Sequence, residues 1–167
     1  VSRRNRLPFA VTRRVRDACL CLHLQSAARV AARHFDEAFR PLKLTNGQFS
    51  LLMAINRREP PSIGNVATVL AMDRTTLTAN LKPLQRRRLL TVAVDPADKR
   101  SRHLALTPAG RALLAKAVPL WRRTHAAIER LLARSNPDDL RADLRALSAP
   151  EPLPPVHVRR RGAARAP

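Results

Sequence analysis

Between residues 62 and 107 three pieces follow one another with almost no spacer. Residues 62–72, SIGNVATVLAM, place Ile63, Val66, Ala67 and Leu70 at i, i+3, i+4 and i+7, the single apolar face of a short amphipathic helix. Ser62 is its natural N-cap, and Pro60-Pro61 bar any helix from running in from upstream. Residues 73–88, DRTTLTANLKPLQRRR, open on Asp73 as N-cap and carry Leu77, Leu81 and Leu84 on one stripe. Pro83 lies inside that second helix and removes a backbone donor; the leucines keep their period through it, so the spacing predicts a bend rather than a stop. Residues 89–107, LLTVAVDPADKRSRHLALT, read as strand, charged turn, strand, with the turn at Asp95-Pro96-Ala97-Asp98-Lys99-Arg100-Ser101. Thr107-Pro108-Ala109-Gly110 then opens a further helix, Thr107 at the N-cap and Pro108 at the first helical position.

The face of the second helix opposite the leucines carries Arg74, Thr75, Thr78, Ala79, Lys82 and Arg86. Short hydroxyls and long cations suit a nucleic-acid groove: threonine reaches phosphates and the thymine methyl, and arginine reaches guanine edges or phosphates. Taken alone, such a face is more often simply solvated. The hairpin changes the balance. A turn carrying Lys99, Arg100 and Arg102 beside such a helix can set an arginine into the adjacent narrow groove, where negative potential is highest. Helix, turn, helix and basic-tipped hairpin in this order make a winged helix-turn-helix, a duplex-DNA reader with a second contact arm.

Charge agrees. The formal net charge is +20 and the isoelectric point about 11.9, a balance that points to a polyanion. There is no tyrosine, one tryptophan and four phenylalanines, too few stacking platforms for a single-strand or RNA surface. Charge alone would also fit a non-specific basic nucleic-acid-binding architectural protein; the ordered helix-and-hairpin pattern speaks against it. No glycine-rich phosphate loop, metal-ligand spacing or catalytic triad is visible, so neither an enzyme nor a bound cofactor or metal is expected. No run of 18 apolar residues occurs, so no membrane span is expected, and the predicted location is cytoplasmic and nucleoid-associated.

LTNGQFSLLMAI, MDRTTLTANLKPLQRRRLL and DPADKRSRHLALTPAG closely resemble the MarR (multiple-antibiotic-resistance regulator) family of bacterial transcription factors. The DP-x-D-[KR]-R…LT…G run is the family's most specific signature, and the resemblance covers roughly residues 15–147. It implies a mainly α fold with a small β-hairpin wing, a DNA-binding lobe over 45–107 and long dimerisation helices over 11–40 and 108–147. It also implies a homodimeric regulator, a repressor in most members, on a pseudo-palindromic double-stranded operator. Arg74, Thr75, Thr78, Lys82 and Arg86 would meet bases and phosphates, Arg100 would enter the minor groove, and Lys99 and Arg102 would lie on phosphates. Asp95 or Asp98, the latter preferred, would stabilise the wing by a salt bridge that orients Arg100. Release would follow from a small phenolic-type effector in the crevice between lobe and dimer helices, or from an oxidant. Two positions depart from the family pattern: Arg88 stands where glycine usually closes the recognition helix, and Ala79 where many members carry a longer polar residue.

The remaining stretches frame this lobe. Residues 1–10 form a basic arm expected to be flexible, and the Pro/Arg-rich residues 148–167 a tail expected to be disordered. Residues 11–40 predict one long helix with two apolar sides, Val15, Cys19 and Leu22 on one, Leu20, Leu24, Ala27, Ala31, Phe35 and Phe39 on the other. Thr45 and Gln48 form a capping box ahead of a core helix with Phe49, Leu52, Met53 and Ile55. Residues 108–135 predict a second long helix, kinked at Pro119, in which Trp121 is a core or dimer residue or the wall of an effector pocket. Asn136-Pro137 introduces a last helix to residue 147. Cys19 and Cys21, with His23 after them, admit three readings. They pack as small apolar residues. They sense oxidants, as the cysteine at this place does in the hydroperoxide-responsive members that the chain resembles. Or they bind a metal, which the helix disfavours because residues i and i+2 point about 200° apart.

Overall fold

The computed structural model describes residues 7–96 and 98–148, so most of the arm, Ala97 and nearly all of the tail lie outside the described residues. Its elements are α1 (Phe9–Ala18), α2 (Leu20–Phe39), a 3-10 turn (Arg40–Leu42), α3 (Asn46–Ile55), α4 (Ile63–Val69) and α5 (Arg74–Arg86). The antiparallel strands β1 (Leu90–Val94) and β2 (Arg102–Leu106) follow, then α6 (Pro108–Glu129) and α7 (Pro137–Leu147). Two compact units result. The first ends at Ala133 and holds everything through α6; the second begins at Arg134 and holds α7, capped by the Asn136 side chain on the Asp138 N–H.

The core of the first unit lies where α3, α4, α5 and the hairpin meet. Leu52, Leu77, Leu84 and Leu104 have no exposed surface, and the leucine stripe read along 73–88 is the buried side of α5. The hairpin pairs Leu90 with Leu106 and Val92 with Leu104, which turns one apolar face inward. The expected caps are in place: Thr45 with Gln48 as a full capping box, Ser62 on the Asn65 N–H, Asp73 on the Thr76 N–H and Thr107 on the Gly110 N–H. Both internal prolines are carried within continuous helices, Pro83 in α5 and Pro119 in α6.

The long helix expected over 11–40 is broken. Cys19 takes extended backbone (φ −78°, ψ 103°) and separates α1 from α2. At about 100° per residue, Val11, Val15 and Leu22 would face one way on a straight helix while Leu20, Leu24 and Ala27 faced the other. The break leaves Val11 and Val15 on α1 and puts Leu22 on α2 with Leu20, Leu24 and Ala27. The helix expected to reach residue 135 stops at Glu129; beyond it Leu131 is 72% exposed, so no packing within this unit extends the helix.

Helix ends here turn without glycine. Lys43, Ala71 and Arg88 all have φ near +50°. At the end of α5 the Leu89 N–H donates to the Leu84 carbonyl and the Arg88 N–H to the Gln85 carbonyl, the paired bonds of a Schellman cap. Arg88 therefore adopts the left-handed geometry that glycine gives the family, despite its Cβ. Left-handed backbone costs an L-residue roughly 1–2 kcal/mol, part of which glycine returns in unfolded-state entropy. Arg88→Gly is thus expected to stabilise the fold by about 0.5–1 kcal/mol in urea unfolding at fixed protein concentration. A loss of stability would show that the Arg88 side chain contributes more than its backbone costs.

Candidate nucleic-acid interface

The α5 surface is set from its first residue. The Asp73 carboxylate accepts the Thr76 N–H at 2.8 Å and the Thr76 hydroxyl at 2.6 Å. The side-chain bond, then the backbone bond, hold its carboxyl below the usual carboxylate range. This cap is fully present above that range and is lost as pH falls through the lowered value. From there Arg74, Thr75, Thr78, Lys82 and Arg86 all face solvent. The Thr78 hydroxyl donates to the Arg74 carbonyl at 2.7 Å, so its proton is spent on the helix and its methyl is left for apolar contact.

Arg74 lies across α4. A Cβ added at Gly64 would sit 2.9 Å from its guanidinium nitrogen, so only glycine there gives the arginine this path without displacing it. Arg74 and Thr78 share a cleft of about 250 Å³ with Ser62, Arg100, Ser101 and Arg102, between the start of α4, α5 and the wing. Three guanidinium groups thus converge beside one helix face, a seat for a strong anion such as a phosphodiester. Lys82 and Arg86 lie farther along α5, and Lys99 is exposed at the wing tip outside this cleft.

The wing is held differently from expectation. Asp98 accepts the backbone N–H of Arg100 at 2.9 Å; it fixes the tip through the main chain and leaves the Arg100 guanidinium free of that carboxylate. The Ser101 N–H also closes on the Asp98 carbonyl. Oδ2 of Asp95 lies 2.8 Å from Nε2 of His103. Arg102 donates to the Lys99 and Ser101 carbonyls at 2.7 and 3.1 Å, so it also clasps the tip from within while lining the cleft.

Sequence reasoning missed three residues here. His103 bridges Asp95 and the Pro60 carbonyl, with Nδ1 at 2.7 Å from the latter. Arg87 donates to the Lys43 and Leu42 carbonyls at 2.6 and 3.3 Å and ties the exit of α5 to the turn after α2. Gly64 clears the way for Arg74. Only Gly64, a lone glycine inside a short helix, was visible locally; the other two contacts join residues more than forty positions apart.

Away from this face, Cys19 is half-buried at the break, and Cys21 is exposed and accepts a bond from the Gln25 amide at 3.2 Å. Neither packs into the core of the single protomer, and no cluster of metal-ligating residues occurs among the described residues. A groove of about 520 Å³ runs between α2 and α6, lined by His34, Glu37, Arg123, Thr124, Ile128 and Leu131 among others. Trp121 is not in that lining; it packs on the core and stacks on His125 at 4.7 Å. Among the described residues no helix is long and apolar enough to cross a membrane.

The sequence pattern of the MarR family matches residues 42–101. The transcriptional regulator MosR of M. tuberculosis, solved in complex with DNA, is 37% identical with a TM-score of 0.71; the match covers 78% of this chain and 93% of that one. The transcriptional repressor CouR, bound to a 23-mer DNA duplex, is 31% identical with a TM-score of 0.72, covering 81% of this chain and 96% of that one. CouR bound to p-coumaroyl-CoA superposes with a TM-score of 0.71 at 28% identity, covering 82% and 96%. The transcriptional repressor NicR of Pseudomonas putida is 32% identical over 81 residues, which are 48% of this chain and 51% of that protein, so the match spans about half the length of this curated relative.

Proposed function

Because this chain belongs to the MarR family of transcription regulators, we propose that it binds a double-stranded operator as a homodimer and represses transcription from it. The observation that carries this reading is the convergence of Arg74, Thr78, Arg100 and Arg102 on one cleft between the second helix of the helix-turn-helix and the wing. Arg74, Thr75 and Thr78 meet the major groove, Lys82 and Arg86 the flanking phosphates, and Arg100 the adjacent minor groove. Lys99 and the clasped Arg102 add phosphate contacts at the tip. Asp95 and Asp98 stabilise that tip through His103 and the Arg100 main chain.

Dimerisation gives the two recognition helices the spacing of a pseudo-palindrome, about one helical turn. It is supported by apolar surface that one protomer leaves uncovered: Phe9 and Val15 on α1 and Leu20 and Val30 on α2 are 45–75% exposed. The groove between α2 and α6 is the seat for an effector. Its apolar walls with Arg123 and His34 suit a small aromatic anion, a chemistry in keeping with the aromatic acyl-CoA bound by CouR. This groove supports a seat between the long helices; the crevice between the lobe and the dimer helices, which the family resemblance implies, is the alternative seat. The exposed thiol of Cys21, beside the break in the helix, supports oxidation as a second route of release.

The test is a gel shift on the duplex upstream of the chain's own gene, at about 150 mM salt with excess competitor. A discrete complex is expected. Arg100→Ala and Thr78→Ala, the latter removing the methyl left for apolar contact, are each expected to weaken it about tenfold or more with an unchanged unfolding curve. Unchanged affinity in both variants would reject this docking, and a smear that competitor removes would favour a non-specific binder. Loss of the complex on adding an organic hydroperoxide, reversed by a thiol reductant, would assign the switch to the cysteines; indifference to peroxide would leave the groove as the effector seat.

A further inference from the structure

The wing meets the loop ahead of α4 along a short seam. His103 and Ser62 form an antiparallel bridge outside the hairpin, and the next residue, Leu104, donates its N–H to the Pro61 carbonyl at 2.9 Å. The His103 ring spans the same seam. Nδ1 lies 2.7 Å from the Pro60 carbonyl oxygen and Nε2 lies 2.8 Å from Oδ2 of Asp95 at the end of β1. Both partners are acceptors only, a carbonyl and a carboxylate. A neutral imidazole carries one N–H and satisfies one of them; the imidazolium carries two and satisfies both.

The groups around the ring set the balance. Asp95 faces it from β1, and Arg102 precedes it on β2. The loop that supplies Pro60 also carries Arg57, Arg58 and Glu59. Arg74 and Arg100 lie in the cleft formed with Ser62. The cations oppose a further positive charge, but the two direct acceptors prevail. The Pro60 carbonyl first, then the Asp95 carboxylate, hold the His103 pKa above the ordinary histidine value. The side chain is 33% exposed, so its proton exchanges with solvent.

We propose that His103 is a positioning residue for duplex binding: as the imidazolium it staples the wing to the loop ahead of α4 and offsets the Asp95 charge, so DNA affinity follows its protonation. This rests on the operator-binding reading above. Deprotonation removes one of the two ring N–H donors, so the ring then serves the Pro60 carbonyl or Asp95 but not both. It also removes the positive charge that faces Asp95 at the root of an arm that must approach phosphates. The sign follows from the raised pKa. The staple is complete below the ordinary histidine pKa and is lost as pH rises through the raised value. Bound phosphates favour the imidazolium further, so binding takes up a proton.

The experiment is fluorescence anisotropy on the operator duplex at constant ionic strength, from about pH 6 to about pH 8.5, with wild type and His103→Gln. Wild-type affinity is expected to fall about tenfold more than that of His103→Gln across this range. The glutamine variant is weaker at the acid end and converges with wild type at the alkaline end. Asp95→Asn separates charge from packing: it keeps an acceptor and flattens the profile. In parallel, the His103 ring protons are followed by NMR without DNA, where the titration is expected above the ordinary histidine value and is lowered in Asp95→Asn. Parallel binding profiles for wild type and His103→Gln would overturn the proposal while leaving operator binding intact. Failure to bind any duplex at any pH would overturn both, and the NMR titration would then report on the staple alone.

Discussion

Gly110→Ala is expected to destabilise the protein by about 3 kcal/mol or more, the upper end of overpacking penalties. The reason lies in the root of the wing. A Cβ at position 110 would stand 2.0 Å from the carbonyl oxygen of Leu89 and 3.0 Å from its carbonyl carbon. That obstacle is backbone and cannot rotate away. The same Leu89 oxygen accepts the Thr107 N–H, and the Thr107 hydroxyl donates to the Arg88 carbonyl while accepting the Gly110 N–H. The first turn of α6 is thus stitched to the exit of α5 and the start of β1, and a methyl group at 110 pushes these apart. Either α6 moves or the Schellman turn at Arg88 opens; both disturb the element that presents Arg74 and Thr78. The measurement is urea unfolding of wild type and Gly110→Ala at one protein concentration, because self-association of the kind proposed would make stability depend on it. A difference below about 0.5 kcal/mol would show that α6 and the wing are not in this close contact in solution.

What the sequence made legible were elements that carry their own boundary signals. Ser62, Asp73 and Thr107 announce three helices by local hydrogen-bonding chemistry, and Leu77, Leu81 and Leu84 announce which side of α5 is buried. The exposed cationic face follows by subtraction. The break at Cys19 had no such signal, since neither proline nor glycine marks it. The chain reversals at Lys43 and Ala71 were hidden because their residues are not those that favour positive φ. The wing was legible as a hairpin but not in its wiring. Whether Asp98 reaches a guanidinium or a main-chain N–H depends on turn geometry of a few degrees, and His103 meets Pro60 across 43 positions that no local pattern connects. The groove between α2 and α6 was invisible for the same reason: it exists only once two helices far apart in sequence are packed.

Phe39→Ala is expected to cost about 3–5 kcal/mol, the largest single loss from a core truncation in this chain. Phe39 ends α2 with no exposed surface, its ring 4.8 Å from Phe49 in the first unit's core and 6.0 Å from Phe35 one turn back. It removes a large volume from a site whose walls are fixed. The Asn46 N–H is held by Asp36 at 2.6 Å, and the Leu42 and Lys43 carbonyls are held by Arg87, so the backbone on either side of the ring is pinned and cannot collapse into the hole. The unrelieved cavity adds to the lost transfer energy, and the aromatic contacts with Phe35 and Phe49 add roughly 0.5–1.5 kcal/mol each. Phe39→Leu keeps most of the volume and is expected to lose clearly less. Phe39 is also where the long helix meets the DNA-binding lobe: Phe49 opens α3 on one side, and Arg87 from the end of α5 grips the turn immediately after it. An effector between α2 and α6 shifts the recognition helix only if this junction transmits the change. Unfolding in urea reads the stability loss, and a value under about 1 kcal/mol would mean that the ring lies in a site able to close around its absence.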